Sequence, residues 1–356
     1  VVRHEIPRRS GQRSMTSALA RRELGRTGLE LGTLGFGGAA IGNLYRELPD
    51  EDAAAAVRES LTAGVRYFDT APFYGFGLSE LRLGKALRGE HPSPAISTKI
   101  GRRLVPTGPQ DASVGREGYF SSRPFAPVFD YGYDAVMRSH AESLERLGVA
   151  RVDILLCHDI GRLTHGDSHA ARVREFLDGG YRAMRELRDA GAVRAIGLGV
   201  NEWEICVELL AECELDCILL AGRYTLLEQT ALEKLLPLCE QRSVSIICGG
   251  PFNSGILAAG SRAGAKAHYN YAPPPAEVLE RVARLELVCA DFKVPLQAAA
   301  LQFPLGHPRI ASVVAGCANG AEARNCAAMF SHPIPPAFWR ALHERALVDA
   351  RAPLPA

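Results

Sequence analysis

Four side chains able to move or hold a proton stand at or just beyond the ends of short apolar runs. Asp69 follows VRYF, Tyr74 comes five positions later, Lys99 ends AISTK and His158 ends VDILLCH. A lysine drawn into a partly buried cleft needs a counter-ion, and Asp69 supplies one. An ammonium beside Tyr74 would favour the anionic phenol, so the expectation is a phenol pKa below its usual value near 10. A tyrosine tuned this way can give a proton to a carbonyl oxygen or take one from an alcohol, a contribution of roughly 10²–10⁴ in rate. His158 could orient the reacting oxygen by hydrogen bonding. Together the four suit proton transfer next to a redox step. Singly, each has an ordinary account: Asp69 as a loop or capping residue, Lys99 as a solvated charge, His158 as a satisfied imidazole, Tyr74 as a packing aromatic. The chemistry therefore depends on a fold that brings them to one place.

The elements that could do so alternate regularly. Short apolar or β-branched runs at 33–37, 66–68, 95–98, 152–157, 195–199, 217–220, 244–248 and 312–314 read as strands. Stretches of helical period at 51–63, 79–87, 133–147, 180–190, 202–213, 230–241 and 276–290 with 296–304 lie between them. Start signals such as Pro49-Asp50 and stop glycines such as Gly64, Gly148 and Gly191 bound several of these. Eight strands alternating with helices predict an α/β fold, a (β/α)8 TIM barrel with long rim loops, spanning 21–350 as one catalytic domain after a loose tail at 1–20. Segments 101–130, 159–178 and 251–275 are the rim loops, the last resembling a cover in its glycines and three successive prolines. A Rossmann fold is the weaker reading, because Gly35-Phe36-Gly37-Gly38 is followed by Ala40 at the third fingerprint position. In a barrel, strand ends share one mouth, so Asp69, Tyr74, Lys99 and His158 would converge.

Composition narrows the classes. The 356 residues are 47% hydrophobic and 23% charged, ordinary for a globular chain with a sizeable core. A formal net charge of +1 offers no basic field for nucleic acid. Nine cysteines without C-x-x-C spacing argue against a metal site and for reduced thiols in the cytoplasm. No run approaches the ~20 apolar residues of a membrane span.

The chain resembles the aldo-keto reductase superfamily. The resemblance rests on Asp69-Thr70-Ala71, Tyr74-Gly75, Ser79-Glu80 with LGKAL, STK ending at Lys99, and VDILLCHD. FDTAPFYGFGLSE, HDIGRLTHG and IGLGVNEW look like its aldose 1-dehydrogenase branch, that of the D-threo-aldose (L-fucose) and L-galactose dehydrogenases, with pyridoxal 4-dehydrogenase a near neighbour. The resemblance implies a barrel that binds an extended nicotinamide dinucleotide. It makes Tyr74 the general acid/base, Lys99 and Asp69 its tuning pair, and His158 the orienting group. Gly37 and Asn201 would serve the cofactor, Asn201 holding the nicotinamide amide or, equally well, capping the helix near 202. Gly249 and Gly250 stand where an aromatic shelf is usual; Pro251 and Phe252 follow, and Phe252 either stacks on the cofactor or packs the rim. Ala221 stands where a glutamine is frequent. VVAGCANGAEARN resembles the adenosine-pyrophosphate loop, through Gly316, Cys317, Ala318, Asn319 and Asn325. Only Arg324, beside Glu322, is at hand for a 2'-phosphate, so NAD is expected over NADP. Tyr45, Asp159 and Arg223, with Arg162 and His165, are candidate substrate contacts. The implied reaction is oxidation of an aldose's anomeric hydroxyl to a lactone. Oxidation of pyridoxal, reduction of a small aldehyde, or a cofactor-binding sensor with little turnover are the alternatives.

Overall fold

A computed structural model describes residues 19–264 and 267–355. Its strands are β1 (Arg21–Glu23), β2 (Glu30–Gly32), β3 (Leu34–Gly37), β4 (Tyr67–Asp69), β5 (Ala95–Ile100), β6 (Arg102–Pro106), β7 (Phe125–Phe129), β8 (Ile154–His158), β9 (Ala195–Val200), β10 (Cys217–Ala221), β11 (Ser245–Gly249) and β12 (Ile310–Gly316). Eight of them close a parallel barrel in the order β3, β4, β5, β8, β9, β10, β11, β12 and back to β3. These are the eight strands the sequence predicts, and the architecture is a (β/α)8 barrel.

The strands are buried on both faces, which explains their continuous apolar runs. Tyr67, Ile154, Leu156, Cys217, Leu219 and Ile247 form an inner cluster, joined by Leu24, Leu29 and Leu31 from the β1–β2 hairpin. That hairpin was outside the expected alternation. It plugs the amino-terminal end of the barrel, where the Arg22 guanidinium donates to the carbonyls of Leu305, His307 and Ile310 at 2.8, 3.2 and 2.8 Å. A second cluster joins the outer strand faces to the surrounding helices. The register places the site: Asp69 pairs with Gly37 and Ser97, Lys99 with Leu156, and His158 with Gly199, so the three reach one rim.

Other departures have local causes. Segment 101–130 is not a plain loop but carries the antiparallel pair β6–β7. Segment 159–178 contains the helices Arg162–His165 and His169–Glu175. The helix expected at 230–241 is a turn, Thr230–Leu232, then Leu235–Arg242, because Pro237 lacks an N–H and is tolerated only in a first turn. A final helix, Pro336–Glu344, was not expected. Of the expected tail, 1–18 lie outside the described residues, whereas Leu19 packs on the outer core and the Ala20 carbonyl accepts from the Thr33 N–H at 2.8 Å. Among the described residues no helix is long and apolar enough to cross a membrane.

Candidate active site

Lys99 is 1% exposed and Asp69 3%. The Lys99 Nζ donates to both carboxylate oxygens of Asp69 at 2.8 Å and to the Thr70 carbonyl at 2.9 Å, which accounts for all three ammonium protons. The Ser97 hydroxyl donates to Asp69 Oδ1 at 2.7 Å and lies 2.9 Å from the Tyr67 hydroxyl. Burial pushes the Asp69 carboxyl up, opposed by Lys99 and Ser97.

Tyr74 sits in the turn after β4. Gly75, at φ +65°, makes that turn possible, and a Cβ there would collide with the Gly42 carbonyl. The Tyr74 ring lies 4.6 Å under Lys99 Nζ, 6.1 Å from Tyr119 in a stacked arrangement, and 5.8 Å from His158 edge-on. The expectation that Lys99 lowers this phenol is corrected. Burial pushes it well above its ordinary value, and the Asp69 carboxylate and Tyr119 push in the same direction. The ammonium's charge is spent on Asp69, so the phenol faces a neutral pair. Before ligands bind, Tyr74 is protonated.

His158 is buried and held well below its usual range by burial, then by Arg102 and Lys99. It is a neutral imidazole. The next residue, Asp159, has φ +44°, and its carboxylate is engaged by the Arg102 guanidinium at 2.7 Å and the Asn201 amide at 3.1 Å. Asp159 was expected to contact substrate; its oxygens are instead claimed by protein. The Asn201 carbonyl oxygen accepts from the Tyr271 hydroxyl at 3.3 Å. Asn201 is not a helix cap, since the helix begins at Glu204 with Trp203 in the capping place.

Asp69 and Tyr74 form part of the wall of a cavity of about 430 Å³. Its other walls include the expected cofactor residues Gly37, Asn201, Gly249, Gly250, Pro251, Phe252, Gly316, Cys317 and Asn325, and the expected substrate residue Tyr45, whose ring stacks on His268 at 4.9 Å. Lys99 and His158 stand directly behind the Tyr74 wall. The volume is that of an ordinary small-molecule site. The glycines keep the floor open: a Cβ on Gly249 would press on Leu219 at 2.9 Å, and one on Gly37 on Val314 at 3.2 Å. An open floor beneath polar groups fits an extended dinucleotide.

Ala318 and Asn319 are not in this wall. The Ala318 N–H donates to the Glu322 carboxylate at 2.8 Å, and Asn319 caps the helix Gly320–Phe330 through the Glu322 N–H at 2.9 Å. Their polar groups are spent on the loop itself. Arg223 donates to Asn270 at 3.0 Å and, with Arg162, lines a neighbouring groove that shares Asn201. His165 is bonded to the Tyr131 hydroxyl at 2.9 Å. Sequence reasoning missed Arg102, Tyr119 and Tyr271, which come from the rim insertions; Glu322, named there only as the neighbour of Arg324, places its carboxylate in the cavity wall.

A barrel carrying this cleft at its carboxyl-terminal rim has clear relatives. The model of the aldo/keto reductase family matches residues 33–346, and the chain belongs to that family. It is 42% identical over 341 residues to pyridoxal 4-dehydrogenase of Microbacterium luteolum, covering 93% of this chain and 99% of that one. It is 37% identical over 325 residues to D-threo-aldose 1-dehydrogenase of a Pseudomonas species, covering 90% and 96%. In fold it is similar to the holo form of a Bacillus halodurans aldo-keto reductase, with a TM-score of 0.72, 23% identity, and 94% and 98% coverage. The chain is an NAD(P)-dependent oxidoreductase acting on a small molecule.

Proposed function

We propose that this chain oxidises the hydroxyl of a cyclic hemiacetal to a lactone, with an aldose as substrate and Tyr74 as the general acid/base. The observation that carries this reading is one cavity wall holding Tyr74 and Asp69, with Lys99 and His158 behind it and Asn201, Gly249 and Asn325 around it. The nicotinamide dinucleotide, when bound, supplies the hydride acceptor; Asn201, Gly249, Gly250, Phe252, Gly316, Cys317 and Asn325 are the residues that would hold it. For oxidation Tyr74 first releases its own proton to solvent and then takes the hydroxyl proton at its phenolate oxygen; in the reverse direction the protonated phenol gives its proton to a carbonyl oxygen. His158, neutral, donates a hydrogen bond that fixes the same oxygen. Lys99 and Asp69 hold the Tyr74 pocket rigid and electrically balanced.

The relative at 42% identity favours pyridoxal as a second reading. Pyridoxal closes its aldehyde onto the neighbouring hydroxymethyl group, so its hemiacetal presents the same reacting unit as a sugar. Discrimination would fall to the aromatic rim, where a flat ring and a polyol differ most. For the cofactor, NAD is favoured over NADP. Glu322 contributes a carboxylate to the cavity, Arg46 at 3.8 Å is already opposed by it, and Arg324 pairs with Glu59 at 2.9 Å.

The test is to incubate the protein with NAD⁺ or NADP⁺ and L-fucose, D-arabinose, L-galactose or pyridoxal, following reduced nicotinamide and identifying the product. A sugar lactone supports the aldose reading, and a pyridoxal lactone alone supports the second. Cofactor binding without turnover of any of them would refute both.

A further inference from the structure

The inserted hairpin brings a cation into the site that no expectation covered. Arg102, the first residue of β6, is sandwiched between the rings of Phe73 at 4.0 Å and Phe129 at 5.1 Å from its guanidinium carbon. Its Nη2 donates to Asp159 Oδ2 at 2.7 Å. That same carboxylate oxygen lies 3.4 Å from His158 Nε2. Two groups thus compete for one oxygen, and Arg102 has the shorter, charge-assisted contact. We propose that Arg102 keeps the His158 imidazole free to orient substrate by claiming the Asp159 carboxylate that would otherwise pair with it.

Three further observations support this. Asp159 is fixed in place: its left-handed backbone is held by its N–H on the Gly199 carbonyl at 3.0 Å, and its second oxygen by Asn201 at 3.1 Å. The carboxylate cannot simply swing away from His158. The other groups facing the imidazole do not neutralise Asp159. Lys99 is committed to Asp69, Tyr74 is a protonated phenol, and Tyr119 is a buried one, while the Tyr131 hydroxyl is taken up by His165 and by the backbone carbonyls of His158 and Asp159. Glu117, 3.8 Å from Arg102 Nη1, is more than half exposed and competes weakly for the guanidinium. Finally, His158 Nδ1 is buried without a partner, which favours the tautomer with its proton on Nε2, the nitrogen that faces Asp159. Arg102 and Lys99 both disfavour the imidazolium, after burial.

Arg102 is therefore a positioning residue acting through Asp159, and the proposal rests on the reading of His158 as the orienting group. Removing the guanidinium leaves a buried carboxylate beside an imidazole, and proton uptake by that pair relieves it. The imidazolium then bonds to Asp159 rather than to substrate.

The experiment is an NMR titration of the His158 ring in the full chain, assigned with His158→Asn, for the native protein, Arg102→Met, and Arg102→Met with Asp159→Asn. Asn tolerates the left-handed backbone at 159. In the native protein the His158 signal should stay fixed between about pH 6 and 8; in Arg102→Met it should titrate within that interval; in the double variant it should be fixed again. Below its new midpoint the single variant should also lose kcat/KM for oxidation by about a further tenfold per pH unit, on top of the slope Tyr74 gives every form, and the double variant should lack that added steepness. A native His158 that titrates there, an unmoved signal in Arg102→Met, or a double variant behaving like the single would each overturn the proposal. Arg102→Gln repeats the test if the Met variant does not fold. The ring titration needs no turnover, so failure to find a substrate would count against the proposed function and leave this result standing.

Discussion

Replacing Lys99 by Met keeps most of the side-chain volume and deletes the ammonium from a site where it is 1% exposed. Asp69 then retains the Ser97 hydroxyl alone among the side-chain donors that reach it. Removing one partner of a buried pair costs about 3–5 kcal/mol. At about 1.4 kcal/mol per pKa unit, this equals a further rise of roughly 2–4 units in the folded-state pKa of the Asp69 carboxyl. The direction in pH follows. A carboxyl raised in the folded state binds its proton more tightly there than in the unfolded chain, so its protonation favours folding at low pH and that advantage fades as pH rises. The penalty of Lys99→Met should vanish where Asp69 is protonated in both folded proteins, grow by about 1.4 kcal/mol per unit as the native carboxylate ionises first, and level off once the variant's carboxyl has ionised too. Urea unfolding of the native protein and the variant, compared at pH 5 and pH 8, measures it. The variant should lose at least about 1.5 kcal/mol more at the higher pH, and Lys99→Met with Asp69→Asn should recover most of it. Equal penalties at the two pH values, or a loss under about 1 kcal/mol at pH 8, would show that the Asp69 charge does not depend on Lys99.

Other outcomes follow from the same geometry. Because burial holds the Tyr74 phenol well above its ordinary value, kcat/KM for oxidation should climb with pH through neutrality, by about tenfold per unit while the phenol is the only titrating group; a profile flat from pH 7 to 9 would contradict the assignment. Gly75→Ala places a Cβ against the Gly42 carbonyl at a φ of +65°, so it should shift Tyr74 and lower kcat on the order of 10²-fold with a smaller change in cofactor affinity. The affinity for NAD should exceed that for NADP, and Glu322→Gln should narrow the gap by a few-fold, at about 1 kcal/mol for one removed charge; direct titration of both cofactors decides this. All nine cysteines are buried and unpaired, and burial pushes the Cys239, Cys248 and Cys289 thiols up to about 12. An aromatic disulfide reagent should therefore find nine thiols only after urea is added.

What the sequence reveals of this site is what strands deliver. The runs ending at or near Asp69, Lys99 and His158 are apolar because a parallel barrel buries both strand faces, and the register then fixes where they end. Arg102 and Tyr119 were hidden because they arrive on an insertion whose strands, RRLVP and FAPVF, each contain a proline and no clean alternation. The β1–β2 hairpin was hidden for a similar reason, being three residues a side and rich in charge. Spacing placed an ammonium beside Tyr74 correctly but could not show that Asp69 and Thr70 take up all three of its protons. With the ammonium so committed, burial of the phenol, followed by the Asp69 carboxylate, sets the direction of its shift. Asn201 was open between ligand and cap, and Asn319 was expected at the cofactor. The structure makes Asn319 a cap and leaves Asn201 facing the cavity, because only the former immediately precedes a helix.

The central claim is that Tyr74 moves the proton during hydride transfer. Its most direct test is the rate of NAD⁺ reduction with the accepted sugar or pyridoxal, measured for the native protein and Tyr74→Phe, alongside NAD⁺ affinity by fluorescence titration. The account predicts a loss of at least about 10²-fold in kcat, with cofactor affinity within about twofold of native. A Phe variant that turns over at the native rate would contradict it.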